Sequence, residues 1–164
     1  MLDEFEKGIA RVLDHVIIED KQVSGIGNAE STRRIKQRLC SVGHQKGFSV
    51  SADRCEGADT GAWLFDLVWA EQQNNPERFI GIPLVMQFEW DPSLDVILRE
   101  FEKLLVAKAP HKVMVFQQAV RDNVTNVMTI LADRVRYFQL TLPNERYLLA
   151  GYAYDQRVYK YETV

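Results

Sequence analysis

Apolar side chains recur at three- and four-residue steps over residues 2–18, where Leu2, Phe5, Ile9, Val12, Leu13 and Val16 form one stripe. That period predicts an amphipathic helix. The turn-rich "KQVSGIGN" breaks it, and Asn28 is placed to cap a second helix running to about Gly47, a C-terminal stop. That helix carries few apolar positions (Ile35, Leu39, Val42), which predicts that it lies on the surface of the core. "FSVSADR" reads as a short strand and "EGADTG" as a loop. Two long strands follow, near residues 62–70 and 78–90, joined by a polar loop, "EQQNNPER". In "DPSL" Asp91 suits an N-cap and Pro92 a first helical position, so a helix is expected from there to about Ala109, ended by Pro110. "HKVMVFQ" is a strand, residues 119–139 a further helix, and the tail a strand pair turning near Asp155.

Strands mixed with helices in this order predict an α/β fold, with helices flanking a mixed sheet. A chain of 164 residues suits a single domain over residues 1–164. Its 46% hydrophobic and 26% charged residues allow an ordinary packed core. No apolar run is long enough to span a membrane, and the acidic, amphipathic start does not resemble a signal peptide. Cys40 and Cys55 have no metal-ligand spacing and suggest no disulfide framework, so a reducing cytoplasm is the expected location. The net charge of -3 weighs against a protein that coats nucleic acid by bulk electrostatics. It leaves room for a basic cleft in an acidic surface.

The chemistry lies in the two long strands, which carry polar residues among their apolar ones. Strand alternation puts Leu64, Asp66 and Val68 on one side of the first, and Val85, Gln87 and Glu89 on one side of the second. If the strands are neighbours, Asp66, Gln87 and Glu89 can share a patch. Unpaired carboxylates held together there would repel, and a divalent cation would relieve that cost. Oxygen ligands of this kind suit Mg²⁺ or Mn²⁺, which can activate water for phosphodiester hydrolysis. The plainer alternative is a half-exposed hairpin whose polar residues face solvent.

With these residues in this order, the sequence resembles the PD-(D/E)xK nuclease superfamily over residues 29–117. The resemblance implies the restriction endonuclease-like αβββαβ core. The N-terminal helix (2–18), the later helix and the strand pair (119–163) would be additions to it. Asp66 matches the family's metal-binding Asp, with Phe65 where the family has Pro. Gln87-Phe88-Glu89 falls where acid-x-Lys belongs, and Glu30 matches an acid that some members add from the preceding helix. The resemblance thus implies a metal held by Asp66, Glu89 and Glu30, with Gln87 assisting. The motif Lys is absent, and Lys103 on the following helix is the candidate migrant; Lys108 lies at that helix's far end.

Two functions follow: a Mg²⁺- or Mn²⁺-dependent nuclease acting on DNA or RNA, or a catalytically inactive nuclease-fold protein used as a binding or assembly module. An unrelated α/β protein with a solvated hairpin is the third reading. In the basic run "RRIKQR", Arg34 and Arg38 share a helical side with Glu30 and are the candidate phosphate contacts, against a plain solvated face. "GIGN" reads as a turn, and His15, His44 and His111 are given no role. Tyr147, Tyr152, Tyr154, Tyr159 and Tyr161 suit strand packing, base stacking or a homodimer edge. Asp66→Asn is expected to leave folding intact or to raise the melting temperature without metal, by removing carboxylate repulsion.

Overall fold

The computed structural model describes residues 1–164. Ten elements follow one another: α1 (Glu4–Asp20), α2 (Asn28–Gln45), β1 (Ser49–Ala52), β2 (Leu67–Asn74), β3 (Glu77–Glu89), α3 (Leu94–Leu105), β4 (His111–Gln118), α4 (Arg121–Tyr137), β5 (Arg146–Ala153) and β6 (Val158–Thr163). The six strands make one mixed sheet in sequence order. β1, β2 and β3 are antiparallel neighbours, β4 and β5 run parallel to β3, and β6 returns antiparallel to β5. The α/β class and the adjacency of the two long strands are as the hydrophobic pattern predicts.

Alternation divides the core into two layers. On one face Leu84, Met86 and Phe88 of β3 and Val113 and Val115 of β4 pack with Ile9, Leu13 and Val16 of α1 and Ile35 and Leu39 of α2. On the other, Val85, Met114 and Phe116 meet Ile97, Phe101 and Leu104 of α3 and Val124, Met128 and Leu131 of α4. Each layer buries about twenty residues' apolar side chains, so both faces of the central strands are covered. This is why β3 and β4 read as continuous apolar runs in the sequence. α1 opens with a capping box, in which Asp3 accepts from the Glu6 N–H and Glu6 accepts from the Asp3 N–H.

Several boundaries move. The strand expected over 62–70 begins only at Leu67, and residues 63–66 approach it as an irregular segment in which Trp63 and Leu64 are exposed and Phe65 is buried. The expected "EQQNNPER" loop is mostly strand: Gln72 pairs with Phe79, Gln73 with Arg78 and Asn74 with Glu77 around a turn at Asn75-Pro76. Its polarity reflects a hairpin arm that extends past the covering helices, where both strand faces meet water. At α3 the N-cap is Ser93, not Asp91; the Asp91 carboxylate instead accepts the Ser93 N–H. That helix stops at Leu105, four residues before the expected end.

Beneath α2, Gly43 faces the sheet at close range. A Cβ there would lie 2.7 Å from both Trp69 Nε1 and Val50 Cγ2, so helix and strands approach as closely as a bare Cα allows. This close approach sets the position of α2, the helix that flanks Asp66.

Candidate functional site

Asp66 stands one residue before β2, where the chain enters the sheet beside the C-terminal end of β3. Its Oδ2 accepts the backbone N–H of Phe88 at 2.9 Å. Its Oδ1 lies 3.9 Å from Nζ of Lys36, on α2. The Lys36 ammonium also donates to the Asp53 carbonyl oxygen at 3.3 Å and sits 5.8 Å from the centre of the Phe88 ring. The Asp66 carboxylate therefore turns toward α2, held by a backbone amide and faced by a lysine.

Gln87 points the other way. Its side chain is buried, Oε1 accepts the Asp66 N–H at 2.8 Å, and Nε2 donates to Glu100 of α3 at 2.7 Å. Glu100 also accepts two hydrogen bonds from Lys103, at 2.8 and 2.6 Å. The side chains form a chain running from Lys103 through Glu100 to Gln87 and ending on the Asp66 backbone. Glu89 accepts the Asp91 N–H at 2.7 Å and so stabilises the turn into α3.

Asp66, Gln87 and Glu89 are thus near one another in the sheet, but they do not join as a carboxylate–amide cluster. Asp66 lies at the end of the strand, outside its regular alternation, and its carboxylate sits on the α2 side while Gln87 reaches α3. Nowhere do three or more His, Cys, Asp or Glu side chains converge in a way that could hold a metal ion. The donor chemistry near Asp66 agrees with this. One oxygen is used by a peptide N–H, the nearest charged group is an ammonium, and the amide of Gln87 is hydrogen-bonded at both ends within the protein. These residues do not fit the Mg²⁺ or Mn²⁺ centre that the resemblance implies, because a hard divalent cation needs several free oxygen donors.

The remaining candidates are occupied in the same way. Glu30 is bound by Arg33 through two hydrogen bonds, at 2.8 and 2.6 Å, and that guanidinium holds its carboxyl below the usual carboxylate range. Arg34 pairs with Glu19 and Asp20, and Arg38 pairs with Glu19, so both basic side chains fasten α2 to α1. Of the tyrosines, Tyr147, Tyr152 and Tyr159 are buried in the core, and Tyr161 donates to Ala10 O and Asp14 of α1; Tyr154 is exposed.

Between α2 and the end of β3 lies a hollow of about 520 Å³, lined by Thr32, Arg33, Lys36, Arg54, Asp66 and Trp90 among others. The Trp90 indole N–H donates to Thr32 at 2.7 Å across it. A larger groove of about 670 Å³ separates α3 from α4, but its lining is mainly apolar and includes none of the candidate residues. The residues that sequence reasoning missed are Lys36 and Glu100. Lys36 was visible only as one member of a basic run. Its spacing of four from both Thr32 and Cys40 places it on an inward-turning side of α2, a signal that could have separated it from the exposed arginines. Comparison with protein-family models, curated proteins and solved structures finds no match to this chain.

Proposed function

We propose that this chain is a nuclease-like α/β protein in which the Asp66 centre is structural, and that it acts as a binding or assembly module and not as a hydrolase. The connectivity supports the nuclease-like part. α2 leads into three antiparallel strands, and α3 then leads into β4, parallel to β3, which is the αβββαβ order implied by the resemblance. Gln87 is the observation that carries the non-catalytic part. It occupies the first position of the motif, where hydrolysis needs an acid with free oxygen atoms. Here an amide is buried, and both its ends are hydrogen-bonded within the protein.

Metal-dependent hydrolysis is the second reading, favoured by one feature: Asp66 lines the hollow, and its side chain is 34% exposed. Incubation with labelled single- and double-stranded DNA and RNA and Mn²⁺ separates the two. The binding-module reading expects every substrate to stay intact, and Mn²⁺ to leave the melting temperature unchanged. A metal saturating a native site at a hundred times its Kd would instead add about 2.7 kcal/mol of stability. Cleavage that is lost in Asp66→Asn would overturn the non-catalytic reading. Mobility-shift and sedimentation measurements on the same samples then distinguish a nucleic-acid partner from self-association.

A further inference from the structure

The two cysteines, fifteen residues apart in sequence, meet in the fold. Cys40 is on the inward side of α2 and almost fully buried, whereas Cys55 is half-buried in the segment between β1 and β2. Their Sγ atoms are 3.1 Å apart. This was not visible in the spacing, because the contact depends on how the segment after β1 folds back over α2.

That segment is pinned just after Cys55. Asp59 accepts the Val50 N–H at 2.7 Å and bonds His44 of α2 at 2.9 Å, and Ser51 bonds Thr60 at 2.6 Å. A Cβ on Gly57 would sit 3.5 Å from Cys40 Cβ, so the loop backbone lies directly on the buried cysteine. The thiols are therefore held in place by contacts that do not involve sulfur. Closing the gap to a bond of ~2.05 Å requires the two sulfurs to approach by roughly 1 Å.

We propose that Cys40 and Cys55 form a reversible disulfide site, oxidised by low-molecular-weight disulfides. Cys55, the more accessible thiol, attacks one sulfur of the reagent as its thiolate. The reagent's S–S bond breaks, a new S–S bond forms on Cys55, and the departing thiolate takes up a proton. Cys40, as thiolate, then attacks Cys55 Sγ and expels the second half of the reagent, which is also protonated. The two protein thiols lose two electrons, and the reagent disulfide is reduced to two thiols. Burial and the neighbouring Cys55 push the Cys40 thiol up to about 12, so the second step accelerates as pH rises. The crosslink ties α2 to the wall of the hollow that contains Asp53 and Arg54. It stands apart from the reading of Asp66, and its failure would leave that reading untouched.

The test treats the reduced chain with excess oxidised glutathione, blocks free thiols by alkylation and measures the intact mass. The expected product is a monomer that has lost two hydrogens and takes up no alkylating agent. Its melting temperature should rise by roughly 6–12 °C, the effect of closing a loop of this length in a chain of this size. Dithiothreitol should reverse both changes. Cys40→Ser should instead trap a stable glutathione adduct on Cys55. Should that variant not fold, Cys55→Ser serves, because it should leave Cys40 unmodified in its buried position. A stable glutathione adduct on the native chain, two thiols that remain open to alkylation, a crosslink between chains, or a crosslinked monomer no more stable than the reduced one would each refute the proposal.

Discussion

Asp66→Asn tests most directly whether the acid at the head of β2 is a brace or an ion-binding group. The substitution keeps the side chain's shape and an oxygen able to accept the Phe88 N–H, and it removes the charge. A hydrogen bond to a charged acceptor contributes ~1.5–3 kcal/mol against ~0.5–1.5 for a neutral one, so about 1 kcal/mol is lost at Phe88. The second loss is at Lys36, whose side chain is only 8% exposed and whose Nζ lies 3.9 Å from Asp66 Oδ1. At that separation the gross attraction is about 4 kcal/mol in a surface-like dielectric. A third of the Asp66 side chain meets water, and screening reduces the net effect to ~1 kcal/mol.

The two losses together predict destabilisation of about 2 kcal/mol, or a fall of roughly 4–8 °C in melting temperature. This reverses the expectation drawn from the strand pattern, in which removing a carboxylate relieves repulsion and stabilises the fold. The group facing Asp66 is a cation, not a second acid. Urea unfolding of the wild type, Asp66→Asn, Lys36→Met and the double variant gives the coupling energy directly. A value near 1 kcal/mol is expected. If Asp66→Asn is as stable as the wild type or more so, or if the coupling lies within ~0.3 kcal/mol of zero, the brace is refuted and repulsion between carboxylates returns as the explanation.

Gly43→Ala places a methyl 2.7 Å from Trp69 Nε1 and Val50 Cγ2, and it should cost about 1–3 kcal/mol in urea unfolding through overpacking. A neutral or stabilising result would mean that α2 does not press on the sheet as described. The Val50 N–H, followed by His44, lowers the Asp59 carboxyl below its ordinary 3.8. A carboxyl lowered in the folded state adds stability above the unfolded value and loses it as pH falls through 3.8 and below. Asp59→Asn should therefore flatten the acid limb of the stability–pH curve below about pH 4, and an unchanged limb would refute the pairing.

The fold was legible wherever apolar spacing alone decided an element. α1, α4, β3 and β4 follow from their periodicities, because each buries a face or both faces in one of the two cores. The hairpin arm departs from its expected loop because polar composition there reflects solvent on both faces, not the loss of strand. Residues 71–74 are strand outside the shelter of the helices, and there the backbone ladder is kept while the apolar requirement disappears. The shared patch expected of Asp66, Gln87 and Glu89 does not form, for a related reason. Alternation assigns a face only within a strand, and Asp66 lies one residue outside β2, where the chain is still turning. Placing its carboxylate toward Lys36 depends on α2, a helix thirty residues earlier, and no local pattern encodes that meeting. The same limit hid the contact between Cys40 and Cys55.

Charge within apolar strands therefore has a cause here that needs no ligand. At the end of β3 the sheet stops and two helices on opposite faces must be attached to it. Gln87 ties the β2–β3 entrance to α3 through Glu100, Asp66 ties the Phe88 backbone toward α2 and Lys36, and Glu89 holds the turn between β3 and α3. Hydrophobic side chains in those positions could fill space but could not satisfy the N–H groups of Asp66 and Phe88, each costing about 1–3 kcal/mol if buried without a partner. Polar residues at a strand's end become evidence of catalysis only when some donor capacity is left over. Here the Asp66 oxygen that takes no hydrogen bond faces a lysine, which is why the Asp66–Lys36 coupling is the measurement that decides how Asp66 is used.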